Sequence, residues 1–271
     1  YHKFVNTIPA ASSNGVFEGS VGQANVYYAV YPYQSSMRHA QSINVTIPTV
    51  QTYRENSFDR NMAPMVGRGN DGEPLHFMNI CGVLAVHLTG TEKVKSIVFE
   101  TRNGEKVSGV CSVDTDYVDY PVLDVTSATE TYVSLDCGEG VQLSGEATPF
   151  HIVLPPGEYE GFTLYITTED GKFMKKSTSK TLTIKRSIVT NAAALAFENN
   201  MTEIIDLSEH GHSNCYVVPA AGLYSFDADI IGMQELDSCA NRTGNVYQIE
   251  AFAAEMGPDW GYTYAPALKP F

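Results

Sequence analysis

Apolar and polar residues alternate with a period of two along much of this chain, and that alternation constrains the fold more than any motif does. In the run from Ser42 to Ile47, Ile43, Val45 and Ile47 share one face while Ser42, Asn44 and Thr46 share the other, and Pro48 then ends the pairing. Val133, Leu135 and Cys137 repeat the pattern. So do Phe150, Ile152 and Leu154 before Pro155-Pro156-Gly157, and Phe162, Leu164 and Ile166 after it. A side chain returning to one face at every second position is the geometry of a strand.

The turns suit such strands. Glu169-Asp170-Gly171-Lys172 places Asp-Gly between two strand-like runs, the composition of a tight hairpin whose central residues need positive φ. Asn103-Gly104 stands the same way between Ile97-Val98-Phe99 and Val107-Ser108-Gly109, and both read as turns of antiparallel meanders. Only Asn191 to Phe197, with four alanines and a leucine, offers a short helical stretch. Charged residues make up 18% of the chain, against about a quarter in an average domain, while Gly 22 and Tyr 16 favour turns and strands. The expected fold is all-β: tandem antiparallel β-sandwiches, with residues 1–115 forming the first, 116–203 the second, and 204–271 a C-terminal β module or tail.

Lys+Arg 17 against Asp+Glu 31 gives a formal charge of -14, which repels phosphate backbones and anionic lipid headgroups. Nucleic acid is therefore not an expected partner. No stretch reaches the roughly 20 apolar residues that span a bilayer. Tyr1 opens no signal-peptide pattern, so a mature segment with its export signal upstream is expected. Five cysteines without CxxC spacing leave at least one thiol unpaired in a monomer, and a disulfide framework is not expected.

Several constellations invite a chemical reading and fail it. Cys81 and His87 share a face of one apolar strand, yet their α-carbons lie roughly 20 Å apart at strand rise, too far to share a metal or form a nucleophile-base pair. The stretch reads as a core strand. Gly67-Arg68-Gly69-Asn70-Asp71-Gly72 matches G-x-G-x-x-G but lacks the preceding strand and following helix of a dinucleotide site, and a surface turn is expected. Asp114, Asp116 and Asp119 have Val118 and Asp119 where a calcium loop wants a ligand and a glycine, so they read as an acidic linker. His210, His212 and Cys215 lack a fourth zinc ligand at a standard spacing. Neither G-x-S-x-G nor H-E-x-x-H occurs; no enzyme class, catalytic residue, metal or cofactor is indicated.

The order of the strand edges carries a family resemblance. Tyr28-Ala29-Val30-Tyr31-Pro32-Tyr33, Val45-Thr46-Ile47-Pro48-Thr49-Val50-Gln51, and Leu75-His76-Phe77-Met78-Asn79 leading into Val83-Leu84-Ala85-Val86 resemble the fimbrillin-like proteins of Bacteroidetes. Val94-Lys95-Ser96-Ile97, Ser108-Gly109-Val110, Phe150 to Pro155 and Tyr159-Glu160-Gly161-Phe162 continue it. Asp206-Leu207-Ser208, Ser213 to Val218 and Gly222 to Phe226 resemble the opening of an extra C-terminal module of some relatives. The resemblance spans roughly residues 16 to 230 and stops near Ile231.

It implies two transthyretin-like sandwiches, export as a lipoprotein, and display at the cell surface, on the outer membrane, as a subunit of a pilus (fimbria) or as an adhesin. In polymerising members a protease removes the first strand, often after an arginine, and the exposed groove takes a strand from the next subunit. The implied partners are other fimbrial subunits, as homo- or heteropolymers, with host or bacterial surface glycans or proteins. Tyr247, Ile249 and Ala251 alternate in a segment that qualifies as a donor strand, or as the last strand of its own domain. The alternative is a glycan-binding surface lipoprotein in which the aromatic stripe with Trp260 and Tyr262 forms the platform.

Overall fold

The computed structural model describes residues 2–7, 16–35, 42–114 and 119–200, with the isolated stretches 205–206 and 216–217 and residue 250. Its residues divide into two units, Tyr1–Asp170 with Lys175–Phe197, and Gly171–Met174 with Glu198–Phe271. The described residues form twenty strands, and the all-β expectation holds.

In chain order these are β1 (Val5–Asn6), β2 (Phe17–Glu18), β3 (Val26–Tyr31), β4 (Ser42–Ile47), β5 (Val50–Arg54), β6 (Ser57–Phe58), β7 (Met65–Asn70), β8 (His76–Asn79), β9 (Gly82–Thr89) and β10 (Lys93–Thr101). There follow β11 (Gly109–Asp114), β12 (Leu123–Asp124), β13 (Tyr132–Gln142), β14 (Thr148–Leu154), β15 (Gly157–Thr168), β16 (Phe173–Ile184), β17 (Val189–Asn191) and β18 (Leu195–Ala196). In the second unit β19 (Ile205–Asp206) pairs antiparallel with β20 (Tyr216–Val217), and the Asn200 N–H donates to the Phe173 carbonyl at 3.1 Å.

A six-stranded sheet runs β16-β15-β10-β13-β5-β6, and a smaller one runs β14-β9-β17 with β18 also on β9. Two three-stranded sheets, β12-β11-β4 and β3-β7-β8, and the β1-β2 pair complete the first unit. Strand pairing crosses residue 115, since β10 is flanked by β13 on one side and β15 on the other.

The period-two faces bury as the alternation requires. In the large sheet Ile97 lies between Leu135 and Ile166, and Phe99 between Val133 and Leu164, all buried. In the smaller sheet Phe150 faces Val86 and Ile152 faces Leu84, all four fully buried. The opposite face of the large sheet is hydroxyl-rich: Ser96 and Thr167 share a hydrogen bond, as do Thr163 and Ser177 at 2.9 Å. A separate buried cluster joins Ile43, Val45 and Ile47 of β4 to Cys111 and Val113 of β11, to Cys81 and Val83, and to Val153. Each large apolar side chain removed from water contributes about 1.5–3 kcal/mol.

Three expectations are corrected. The turn at Asn103-Gly104 forms, with Gly104 at φ 82, but β10 and β11 enter different sheets, so it joins layers instead of closing a hairpin. Residues 191–197 hold the end of β17 and all of β18 rather than a helix, because both strands run parallel to β9 and gain tertiary partners that an isolated short helix lacks. The Gly67–Asn70 stretch is strand β7, not a surface turn, and only Asp71-Gly72 turns; Gly67 lies beneath the Phe77 ring and Gly69 against the Pro74 backbone. These glycines serve close approach. The sheets are also mixed, since β5 runs parallel to β13.

Between β14 and β15 the chain changes sheets, and Tyr159 holds that corner. Its ring packs edge-on to Phe99, with centroids 6.2 Å apart, and its hydroxyl donates to the Pro155 carbonyl at 2.7 Å. Phe150 is fully buried and stacks at 5.4 Å on Tyr53, so truncation leaves a cavity between layers. Phe150→Ala is expected to cost about 3–5 kcal/mol, read from the midpoint of urea denaturation at unchanged slope.

Candidate strand-pairing edges

A sheet that ends in an open edge presents unpaired N–H and C=O groups, and these either meet a partner or invite another chain. Two edges of the first unit are closed by a side-chain amide. Gln51 of β5 is buried; its Nε2 donates to the Val153 carbonyl at 2.8 Å and its Oε1 accepts the Val153 N–H at 2.9 Å. Val153 lies on β14, so one glutamine ties the large sheet to the backbone of the smaller one. A primary amide carries one carbonyl and one NH2, and both ends of this pairing imitate a neighbouring strand.

Gln34 repeats the device on β4. Its Nε2 donates to the Thr46 carbonyl at 2.9 Å, and its Oε1 accepts the Thr46 N–H at 2.8 Å. β4 stands last in the order β12-β11-β4, and no strand of the described residues pairs with its other side. Because period two sends the backbone groups of alternate residues the same way, Asn44 and Ser42 face this outer side with Thr46. Ile43, Val45 and Ile47 are committed to the core, so β4 is a fixed template with an edge one glutamine wide.

Two other strands are covered or protected differently. On β9 the 187–197 segment fills the side away from β14: the Val83 N–H donates to Ile188 O at 3.0 Å and the Phe197 N–H to Thr89 O at 2.8 Å. β16 carries Lys175, Lys176 and Lys180, charges that discourage edge-to-edge contact.

Among the described residues, those singled out for chemistry are not assembled into a reactive centre. Cys81 precedes β9 and is buried. His87, in β9, places Nε2 3.1 Å from Asn191 Oδ1. Cys111 and Cys137 are buried too, and burial raises their thiols to about 11 and about 12, so both stay protonated and poorly nucleophilic at neutral pH. Among the described residues no group of three His, Cys, Asp or Glu side chains is placed to hold a metal. Tyr247, Ile249, Ala251, Trp260 and Tyr262 lie outside the described residues, as do Asp116, His210, His212 and Cys215. Gln34 and Gln51 escaped the sequence reading because a bond from a side chain to a distant backbone leaves no local periodicity.

These elements define an all-β, sandwich-type protein with two glutamine-capped edges among the described residues. No protein-family model matches this sequence, and no curated protein does. Among solved structures it is similar to a candidate cell adhesion protein from Bacteroides uniformis, at 12% identity and a TM-score of 0.43, over 71% of this chain and 78% of that one.

Two outcomes follow from the bonded geometry. Gln51→Ala leaves a buried N–H and C=O of Val153 unpaired and is expected to cost about 2–4 kcal/mol in chemical denaturation. His151 has a buried Nδ1 without a hydrogen-bond partner, and burial and the neighbouring His87 both hold its pKa below the ordinary value. The unfolded chain then binds that proton more readily than the folded one, so stability contributed at neutral pH is lost as pH falls below about 6.5. Unfolding free energy measured against pH should fall less steeply in His151→Phe.

Proposed function

We propose that this chain is a non-enzymatic, surface-displayed protein of the fimbrillin-like kind that joins other subunits by strand donation, as a pilus subunit or adhesin. The observation that carries this reading is the outer edge of β4, where Gln34 stands in for a strand and no strand of the described residues pairs, on a template whose apolar face is already packed. An incoming strand with alternating apolar residues would displace the glutamine and bond the backbone at Ser42, Asn44 and Thr46 together. The donor in this reading is the segment with Tyr247, Ile249 and Ala251. The precursor would be a lipoprotein carried to the outer membrane, consistent with the order of strand edges that resembles that family.

A proline at Asn44 removes one outward N–H and leaves the inward bonds of β4 to β11 intact. The full chain is expected to form head-to-tail oligomers in light scattering and negative-stain images. Asn44→Pro, or removal of residues 245–271, should leave folded monomers. Assembly of the shortened chain as efficient as that of the full one would discard the donor assignment; undiminished assembly of the proline variant would discard the β4 edge.

A further inference from the structure

A cleft of about 460 Å³ opens at one end of the first unit, lined chiefly by Tyr53, Glu55, Asn56, Gln142, Ser144 and Glu146. Small-molecule sites occupy about 300–1,000 Å³, so the space suffices for one sugar ring. Its walls are held from outside the cleft. Gln142 donates to the Thr91 carbonyl at 2.8 Å, and Ser144 Oγ accepts the Glu146 N–H at 3.1 Å while donating to the Glu146 carbonyl. Asn56, at φ 55, forms the tight β5-β6 turn, a backbone conformation asparagine tolerates. Tyr53 is braced on Phe150.

The functional ends of these side chains are a different matter. Among the described residues, no hydrogen bond engages the Tyr53 hydroxyl, the Asn56 side-chain amide, or the Glu55 and Glu146 carboxylates. Four uncommitted polar groups thus converge on one cleft with braced walls. Two carboxylates accept hydroxyl donors, an amide offers both a donor and an acceptor, and an aromatic ring offers an apolar surface to sugar C–H groups. Burial and the nearby Glu55 keep the Tyr53 phenol protonated, hence a donor. Among the described residues no Lys, Arg or His lines the cleft, so its two carboxylates disfavour an anionic ligand.

We infer that the cleft between the β5-β6 turn and the β13-β14 connection binds an uncharged saccharide unit, with Glu55 and Glu146 accepting its hydroxyls and Tyr53 packing against its ring. The site does not depend on strand donation, and neither Trp260 nor Tyr262 is among the residues assigned to it. Being open to solvent, it would hold a single residue weakly, with Kd on the order of 1 mM, and gain strength through repeated copies along an assembly.

Saturation-transfer NMR on the full chain tests this with methyl glucoside, galactoside, mannoside and N-acetylglucosaminide, and a methyl sialoside as the anionic control. At least one neutral glycoside should show contact and the sialoside none. The double variant Glu55→Gln, Glu146→Gln touches only exposed carboxylates and should keep its melting temperature while weakening binding about tenfold or more; Tyr53→Phe, which retains the Phe150 contact, should weaken it less. Absence of contact with every neutral glycoside would overturn the inference. So would binding unchanged in the double variant, binding abolished by Trp260→Ala alone, or binding that a chelator removes and calcium restores, which would make the carboxylates a cation site.

Discussion

The backbone of β9 is the constraint on which the first unit depends. It is paired on both sides, by β14 and by the returning 187–197 segment, and it is buried on both faces. Leu84, Val86 and Leu88 enter the face that looks into the sandwich, while Cys81 and Val83 enter the cluster built on β4 and β11. A strand in that position has no water to satisfy its peptide groups, so every N–H and C=O must find protein. Gly82 fits the same demand: a β-carbon there would run into the Lys185 carbonyl, so the chain that returns to pair with β9 can come close only to glycine.

Solving that demand at the centre moves the problem to the edges. β14 has β9 on one side, and on the other the geometry offers only the neighbouring sheet, which lies across the core. Gln51 closes the gap with a side chain long enough to reach Val153 and flat enough to bond both groups. A charged residue of similar length would not serve, since a carboxylate has no hydrogen to give the Val153 carbonyl and a lysine no oxygen for its N–H. The same reasoning applies to Gln34 on β4, with one difference of consequence. Gln51 is sealed within the unit, whereas Gln34 sits only partly buried beside an exposed Tyr33.

Much of this was legible in the sequence, and the reason is local. Burial of Ile43, Val45 and Ile47, of Val133, Leu135 and Cys137, and of Phe150, Ile152 and Leu154 follows from strand pleat alone. Gly104 and Gly171 adopt the positive φ that their turns demand. Pairing partners were not legible, because the Asn-Gly turn after β10 has the composition of a hairpin whether its strands share a sheet or separate. The three alanines of 192–194 suggested helix through intrinsic propensity, and an open backbone at β9 outweighed it. Neither the Gln34 edge nor the Tyr53 cleft has a sequence signature, since each gathers residues from separate segments.

The cleft is nonetheless tied to the contact between the sheets through one short strand. On β5, Gln51 and Tyr53 are two residues apart and so share a face; the first bonds the backbone of β14 and the second stacks on Phe150 of the same strand. The aromatic wall of the cleft is therefore positioned by the contact that joins the sheets. The opposite wall rises where β13 departs from regular register, between the pairings of Asp136 and Val141 with β10, a swelling that needs Gly138 and Gly140 at positive φ. Residues 137–140 leave the ladder there, and Val141 and Gln142 rejoin it opposite Val94 and Lys93. The irregularity that shapes the recess lies in the large sheet, while the edge on which assembly would act lies on β4, so the two proposed sites draw on different sheets.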